Sequence, residues 1–264
     1  MKMKSFFLFV IFILLVSPLI AEVSIGIEME LPDVNNAEEF PLVIKPFIEY
    51  EEDFCAFDVW ARMYIPMGIA GDAKGLNDNY KEVADISINL EFDAGYYMEV
   101  GNDSVLSFGL EGELFLPITT GEDIELPLTP WIKLSEPFNI GDVYVGLKFP
   151  LEFLNTDDFS LGMDINIGWV SNFGLTLELT PHLIFLPEDD NIYAGITTAI
   201  SYEKGPFLAE LEFGIPYKIN NGIEIDFYIE YNIDPMTFYV NFGFIGAGTG
   251  GTCFSPSIGF MYSW

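Results

Sequence analysis

Apolar and polar residues alternate strictly along most of this chain. Between Phe159 and Trp169 every second side chain is apolar, and Ser, Gly, Asp and Asn residues occupy the positions between them. Because side chains of a β-strand point alternately to opposite faces, this period of two predicts a strand with one apolar and one polar face. The pattern therefore predicts an all-β protein whose sheet is exposed to water on one face only.

The same alternation recurs in about fourteen segments after residue 22, and turn signals such as Lys204-Gly205 and Asn221-Gly222 join neighbouring segments. Such a run is typical of a single antiparallel up-and-down transmembrane β-barrel, because closure removes the sheet edges that lipid does not tolerate. Prolines interrupt the second and sixth segments, so twelve strands are the alternative. The predicted strands are 23–31, 40–50, 54–66, 84–98, 104–116, 124–134, 142–154, 159–169, 172–185, 191–202, 206–218, 222–232, 236–246 and 254–264.

Residues 1–21 have the features of a secretory signal peptide. Two lysines precede an apolar run from Phe6 to Val16, and Ala21 is a small residue after which cleavage is expected. The run is shorter than the roughly 20 residues of a spanning helix, which disfavours an uncleaved anchor. The predicted domains are therefore a signal peptide over 1–21 and a transmembrane β-barrel over 22–264.

The chain is strongly acidic. Two of its 10 Lys and Arg residues lie in the predicted signal peptide, which leaves 8 against 41 Asp and Glu residues, a net charge of −33. This charge argues against nucleic acid and anionic membrane surfaces as partners. The competing interpretation is a soluble β-sandwich with an acidic surface, which would have to bury most of its hydrophobic residues, 50% of the chain, in its core.

Charged side chains concentrate on the polar face of the predicted strands. A charge that faces lipid costs a few kcal/mol near the bilayer midplane, so we expect these side chains to face a water-filled lumen. Six acids near strand centres, Glu111, Glu113, Glu210, Glu212, Glu224 and Asp226, are the candidates for selectivity. The full set of candidate pore-lining residues is Glu28, Glu30, Asp58, Arg62, Asp85, Glu91, Glu111, Glu113, Lys148, Asp164, Glu178, His182, Glu210, Glu212, Glu224, Asp226 and Glu230.

A lumen walled by carboxylates holds a negative potential and concentrates cations. The sequence therefore predicts a pore for passive diffusion of small polar solutes with a preference for small cations. The alternative is a structural or surface-interaction barrel that does not conduct. Short connections favour the pore, apart from 67–82, which is long enough to fold over the mouth as a gate.

His182 is the chain's only histidine, and Glu178 precedes it by four residues on the same predicted face. A His-dependent hydrolase would need a serine within reach of this ring and a third group to orient it. The sequence contains no Gly-x-Ser-x-Gly element and no cluster with metal-ligand spacing; the loop acids Glu188, Asp189 and Asp190 are interpreted as solvated. We therefore predict no enzymatic activity, no cofactor and no metal site.

Glycines recur on the polar face, for example at Gly26, Gly168 and Gly259. They either widen the lumen or relieve crowding on the concave wall, and we favour the second interpretation. Tyrosines near strand ends are typical of interfacial aromatic girdles. The predicted girdle residues are Tyr50, Tyr64, Tyr97, Tyr202, Tyr217 and Tyr231.

The last predicted strand alternates in the same way and ends the chain on the aromatic Trp264. With the signal peptide and the alternation along the whole mature chain, it resembles bacterial outer-membrane β-barrel proteins, and more loosely the small monomeric porins. The resemblance implies location in the bacterial outer membrane, contact with its lipid bilayer, and recognition by the barrel-assembly machinery. Phe260, Tyr262 and Trp264 are the implied assembly signal; Phe is the usual last residue, so Trp264 departs from the pattern, as does Pro256 within the strand.

Overall fold

The structure is a computed structural model that describes residues 22–31, 42–54, 56–70, 87–101, 103–117, 126–154, 158–186, 191–215, 222–247 and 253–263. Among these residues, no helix is long and apolar enough to cross a membrane. The strand segments are β1 (Glu22–Glu30), β2 (Leu42–Phe54), β3 (Phe57–Tyr64), β4 (Met67–Ala70), β5 (Ser87–Val100), β6 (Ser104–Pro117), β7 (Leu128–Phe138), β8 (Gly141–Lys148), β9 (Leu151–Leu154), β10 (Asp158–Ser171), β11 (Leu175–Leu186), β12 (Asn191–Lys204), β13 (Phe207–Ile215), β14 (Ile223–Ile233), β15 (Met236–Ala247) and β16 (Cys253–Ser263).

These segments form one closed antiparallel β-barrel. Each crossing of the wall, here called a stave, pairs with the staves next to it in sequence, and β1 closes the ring by pairing with both β2 and β16. Two staves consist of two segments each, β3 with β4 and β8 with β9, so the barrel has fourteen staves. The predicted up-and-down barrel is confirmed, and the twelve-strand alternative is wrong because both proline-bearing segments, β2 and β7, are staves.

Both divided staves break at a proline. Ile65-Pro66 separates β3 from β4, and Phe149-Pro150 separates β8 from β9. Proline has no N–H to give to the ladder, so pairing stops there and resumes beyond it. The prediction that the connection starts at residue 67 is therefore wrong, since 67–70 pair with β2 as β4. The remainder of the predicted gate, 71–82, lies outside the described residues.

The sixth predicted strand, 124–134, is displaced in the structure, where β7 runs from Leu128 to Phe138. Pro130 lies within β7 and does not end it, because its carbonyl still accepts a hydrogen bond, whereas Pro127 lies directly before the first residue of β7. The Phe149 N–H donates to the Pro130 carbonyl at 2.9 Å, and the Glu113 N–H donates to the Pro127 carbonyl at 3.2 Å. A proline within a strand thus removes one N–H donor from the ladder, while its carbonyl still accepts a hydrogen bond and maintains the strand register.

Six connections of only two or three residues lie at one end of the barrel, the end at which β1 begins and β16 finishes. They follow β2, β5, β7, β10, β12 and β14. Gly174 shows how tight they are, since its φ is +94° and a Cβ there would lie 1.9 Å from the Glu203 carbonyl oxygen. The connections at the opposite end fall largely outside the described residues.

The outward face of the barrel is an exposed apolar band. Val145, Ile167 and Ile258 are 49%, 44% and 52% exposed although each lies in the middle of a paired strand. On the described strands, outward charged side chains lie only next to the short turns, at Glu52, Glu136 and Lys204. This arrangement is what a lipid-facing surface requires, because charge is tolerated near the interface but not at the midplane.

Aromatic side chains border this band near the short turns. The rings of Phe57, Tyr96 and Phe108 form a row on three neighbouring strands, with centroids 5.5 and 5.4 Å apart. Tyr202 and Tyr231, two of the predicted girdle residues, also lie on the outward face at this end. Tyr217 lies outside the described residues.

Candidate pore lining

The strand register places the predicted lining residues on a single face of the sheet. Residues directly opposite one another in the ladder share a face, and Arg62 lies opposite Glu91, which lies opposite Glu113. Followed around the ring, the same rule connects all the described candidates; Asp85 lies outside the described residues. The residues brought to this face are Glu28, Glu30, Asp58, Arg62, Glu91, Glu111, Glu113, Lys148, Asp164, Glu178, His182, Glu210, Glu212, Glu224, Asp226 and Glu230.

This face is the concave one, because its side chains meet across intervening strands. The Tyr239 phenol of β15 donates to Glu28 of β1 at 2.9 Å, passing over Gly259 of β16. The Tyr144 phenol of β8 likewise donates to Glu178 of β11 over β10. The inner face therefore carries side-chain bridges that span three staves.

Glycine makes room for these bridges. A Cβ on Gly259 would lie 1.9 Å from the Tyr239 ring, and a Cβ on Gly168 would lie 2.1 Å from the Tyr144 ring. The same relation holds for Gly26, whose Cβ would meet the Phe47 ring at 2.2 Å. These inward glycines accommodate large rings that lie flat on the wall, which supports relief of crowding rather than a wider lumen.

Several inward aromatic residues were not among the predicted lining residues. Tyr64, predicted as a girdle residue, lies on the inner face and donates to Glu113 at 3.1 Å. The Trp131 indole N–H donates to Asp93 at 3.1 Å across Gly109. The sequence contains a signal for them, because each lies at a position that alternates with the outward apolar residues of its strand. This alternation does not reveal that a glycine on the next strand makes room for the ring.

Strands β1–β9 are here called the paired half, because their inward Lys and Arg side chains form ion pairs or contact an aromatic ring. Lys45 lies 2.6 Å from Glu30 and 3.7 Å from Glu28. Arg62 lies 2.7 Å from Glu49, and Lys148 lies 2.9 Å from Glu111. Lys133 stands over the Tyr144 ring, 4.8 Å from its centroid. Much of the positive charge in this half is therefore neutralised locally.

Strands β10–β16, here called the acidic half, differ from the paired half in the charge of their inner face. Their described residues place no Lys or Arg on the inner face. Glu212 lies directly opposite Asp226, and Glu210 and Glu224 lie one inner position away on the same two strands. The described part of the chain gives these four acids no ion-pair partner, so their charges add to one another along this wall.

His182 links three strands of the acidic half. Its Nδ1 lies 2.9 Å from Asp164 Oδ1, and its Nε2 lies 2.8 Å from Thr197 Oγ1. Glu178, the neighbour suggested by the sequence, instead accepts from Tyr144, Asn166 and Thr180. Within the described ranges, no three or more His, Cys, Asp and Glu side chains are grouped so as to hold a metal ion.

Comparison of the sequence with known protein families and with characterised proteins finds no match. Among solved structures, the barrel is similar to a deletion variant of TodX described as a monoaromatic hydrocarbon channel, with a TM-score of 0.52 and 7% identity over 92% of this chain and 89% of that one. It also matches OmpF of Salmonella typhi in complex with daunomycin (TM-score 0.46, 8% identity, 92% and 97% coverage) and the outer membrane channel DcaP of Acinetobacter baumannii (0.43, 8%, 92% and 96%). Likeness at such low identity concerns the fold alone, and of these three only the first TM-score exceeds 0.5. The chain has the closed antiparallel β-barrel fold found in bacterial outer-membrane channels.

Proposed function

We propose that this barrel is an outer-membrane pore for passive diffusion of small polar solutes, and that it prefers cations. The observation that carries the proposal is the acidic half, where Glu210, Glu212, Glu224 and Asp226 line the wall and the described residues supply no inward Lys or Arg. Unneutralised carboxylates along an aqueous path raise the local concentration of cations and lower that of anions. The proposed transport needs no cofactor and no chemical step.

The size and surfaces of the barrel support a conducting role. Fourteen tilted staves enclose a backbone cross-section roughly 28 Å wide. The inner face is polar and the outer face is apolar, so water and ions have a path that lipid does not. The fold shared with the TodX variant agrees with this arrangement.

Location in the outer membrane is part of the proposal, and the leader-like segment 1–21 and the exposed apolar band support it. Phe260 and Tyr262 lie on the outward face of β16, the strand that closes the barrel. Trp264, the third residue of the proposed assembly signal, lies outside the described residues. We expect the barrel-assembly machinery to read this aromatic row before β16 pairs with β1.

A non-conducting structural barrel is the second candidate, and one feature favours it. The Arg62 guanidinium stacks on the Phe47 ring at 4.4 Å, and the rings of Tyr228 and Tyr239 lie 5.9 Å apart. These side chains pack against one another on the inner surface of the staves around the β1–β16 closure. If such packing continued across the lumen, the pore would be shut.

Single-channel recording in a planar bilayer distinguishes the two candidates. Protein lacking residues 1–21 is refolded, inserted and studied under a KCl gradient. We expect stable current steps and a reversal potential of the sign that K⁺ selectivity produces. A folded, heat-modifiable barrel that never conducts would establish the structural candidate, and a conducting barrel with an anion-selective reversal potential would reject the role of the acidic half.

A further inference from the structure

His182 is the one inward base of the acidic half among the described residues, and the pore proposal gives it no role. Its side chain is 28% exposed, so lumenal water reaches the ring. Histidine is the side chain that ordinarily changes its charge between about pH 5 and pH 8. A change of charge here acts on the wall to which the proposal assigns selectivity.

The contacts of the ring fix which nitrogen carries the hydrogen when the ring is neutral. Nδ1 lies 2.9 Å from Asp164 Oδ1, and an ionised carboxylate only accepts hydrogen bonds, so Nδ1–H is the donor. The other nitrogen, Nε2, is left to accept from the Thr197 hydroxyl, whose oxygen lies 2.8 Å away. The neutral imidazole is thus held on both sides, by a carboxylate and by a hydroxyl.

Both contacts persist when the ring is protonated. A proton added at Nε2 turns this nitrogen into a donor, and the Thr197 oxygen accepts from it, because a hydroxyl serves in either direction. Nδ1–H continues to donate to Asp164, so neither the ring nor a strand has to move. Together, His182 and Asp164 then change from one negative charge to none.

The Thr197 hydroxyl connects this change to the open part of the wall. Gly214 lies opposite Thr197 on one side and opposite Glu224 on the other. A Cβ on Gly214 would lie 3.5 Å from Thr197 Oγ1 and 3.6 Å from Glu224 Oε2, so both oxygens border the same space. When Nε2 is protonated, the hydroxyl hydrogen no longer points to the ring and is free to turn into this space. The proton on His182 therefore alters the polar lining beside Glu224 as well as the charge of the wall.

The charges around the ring are mostly carboxylates. β12 places no charge directly beside it, since Gly195 and Thr197 occupy the facing inner positions. Lys148, which lies opposite Asp164 in the ladder, is paired with Glu111 at 2.9 Å. A proton on His182 thus adds positive charge where the described residues of the acidic half otherwise supply only carboxylates. The charged residues around the ring, on its own and the neighbouring strands, are Asp164, Lys148, Glu178, Glu212 and Glu224.

We propose that His182 is a specificity-determining residue of the pore, and that its protonation lowers the preference for cations. This inference rests on the proposed function. The charged ring cancels the charge of Asp164, so the potential along the acidic wall becomes less negative. With the neutral ring, the wall keeps its full negative charge. Selectivity therefore follows pH through a group fixed in the wall, without movement of a strand or a loop.

Reversal potentials under a KCl gradient test the inference, recorded at about pH 8 and about pH 5. The wild type is compared with His182→Gln, because glutamine keeps hydrogen-bonding groups at this position and cannot be charged. In the wild type, the ratio of K⁺ to Cl⁻ permeability should fall by roughly 1.5-fold or more at the lower pH, and most of this fall should be absent in His182→Gln. An equal fall in both proteins would show that lumenal carboxylates alone respond to pH and would overturn the inference.

A variant with a permanent positive charge gives the opposite test. At about pH 8, His182→Lys should already have the lower permeability ratio that the wild type reaches at about pH 5, because the lysine is charged at both values. A His182→Lys pore with the wild-type ratio at the higher pH would show that charge at this position does not affect selectivity.

Magnetic resonance of the ring separates this inference from the pore proposal. The chain has one histidine, so protein without a histidine tag, labelled with ¹⁵N-histidine and refolded in micelles, gives the signals of a single imidazole. We expect the tautomer with hydrogen on Nδ1 at about pH 8 and a doubly protonated ring at about pH 5. A ring that stays neutral at the lower pH overturns the inference. A conducting barrel whose ring titrates without a change of selectivity rejects this inference alone, and a folded barrel that never conducts rejects the pore and the inference with it.

Discussion

The paired half and the acidic half of the barrel wall use their carboxylates in different ways. In β1–β9, carboxylates such as Glu49 and Glu111 lie within 3 Å of Arg62 and Lys148. In β10–β16, Glu212 and Asp226 oppose each other with no inward Lys or Arg on the described residues of those strands. The difference shows that the net charge of the chain does not determine where the lumen is most negative. The positions of the few Lys and Arg side chains determine it.

The inner surface at β6 and the inner surface at β13 also differ in how closely they are packed. In the paired half, the Trp131 ring lies flat over Gly109, and a Cβ on that glycine would be 2.5 Å from it. In the acidic half, a Cβ on Gly214 would meet nothing closer than 3.5 Å. We therefore expect the ion path to follow the acidic wall around β13 and β14, where charge is unneutralised and space is free.

The largest effect should come from removing the acids of that wall. In a quadruple variant with Glu210, Glu212 and Glu224 changed to Gln and Asp226 to Asn, the ratio of K⁺ to Cl⁻ permeability should fall several-fold toward unity, because four negative charges leave the path. The reversal potential under a KCl gradient measures this ratio.

The matched control removes an ion pair from the paired half, with Glu111→Gln and Lys148→Gln combined. This change leaves the net charge unaltered, so the reversal potential should stay close to that of the wild type. A quadruple variant that retains the wild-type reversal potential would contradict the assignment of selectivity to the acidic half.

The packing difference predicts the next largest effect. Gly109→Ala should lower the free energy of unfolding by about 1–3 kcal/mol, because the new methyl group collides with the Trp131 ring and with the Ala94 carbonyl oxygen. Gly214→Ala should change it little, since its surroundings are open. Urea-induced unfolding followed by tryptophan fluorescence gives both values, and equal losses would mean that the surroundings of Gly109 and Gly214 are packed alike.

Single carboxylates should affect stability in opposite directions in the two halves. Glu49→Gln should destabilise the barrel by about 1–2 kcal/mol, because Glu49 is 12% exposed and accepts two charged hydrogen bonds from Arg62. Glu212→Gln should leave stability unchanged or raise it, since the substitution relieves repulsion by Asp226. The same unfolding measurement decides, and a loss in Glu212→Gln similar to that in Glu49→Gln would show that Glu212 has a stabilising partner.

The smallest predicted effect concerns the phenol bridge at the boundary between the halves. Tyr144→Phe keeps the ring over Gly168 and removes only the hydrogen bond to Glu178, so it should cost about 1 kcal/mol of unfolding free energy. Tyr231→Phe, on the outward face, provides the control and should cost less. If the two substitutions lower the free energy of unfolding equally, the hydrogen bond between Tyr144 and Glu178 contributes nothing measurable to the stability of the barrel.

The sequence predicted the face of each candidate residue better than it predicted strand limits. Every described pore-lining candidate lies on the inner face, since side-chain direction depends only on phase within a strand. Strand limits were less predictable where proline intervened, as in the displaced β7 and the divided stave of β3 and β4. Proline removes one donor but keeps its acceptor, so only neighbouring strands decide whether pairing stops or continues.

Sequence alone determined the all-β class, the antiparallel hairpins, the single apolar outer face and the excess of acids on the other face. Each of these depends on short-range alternation or on turn residues, which are local properties of the chain. The tertiary structure alone decided which charges are neutralised. Lys148 and Glu111 are 37 residues apart and lie on staves separated by another stave, so their contact exists only once register and curvature are set. The same holds for the hydrogen bond from Tyr64 to Glu113, which depends on the pairing of β3, β5 and β6 and which no local pattern specifies.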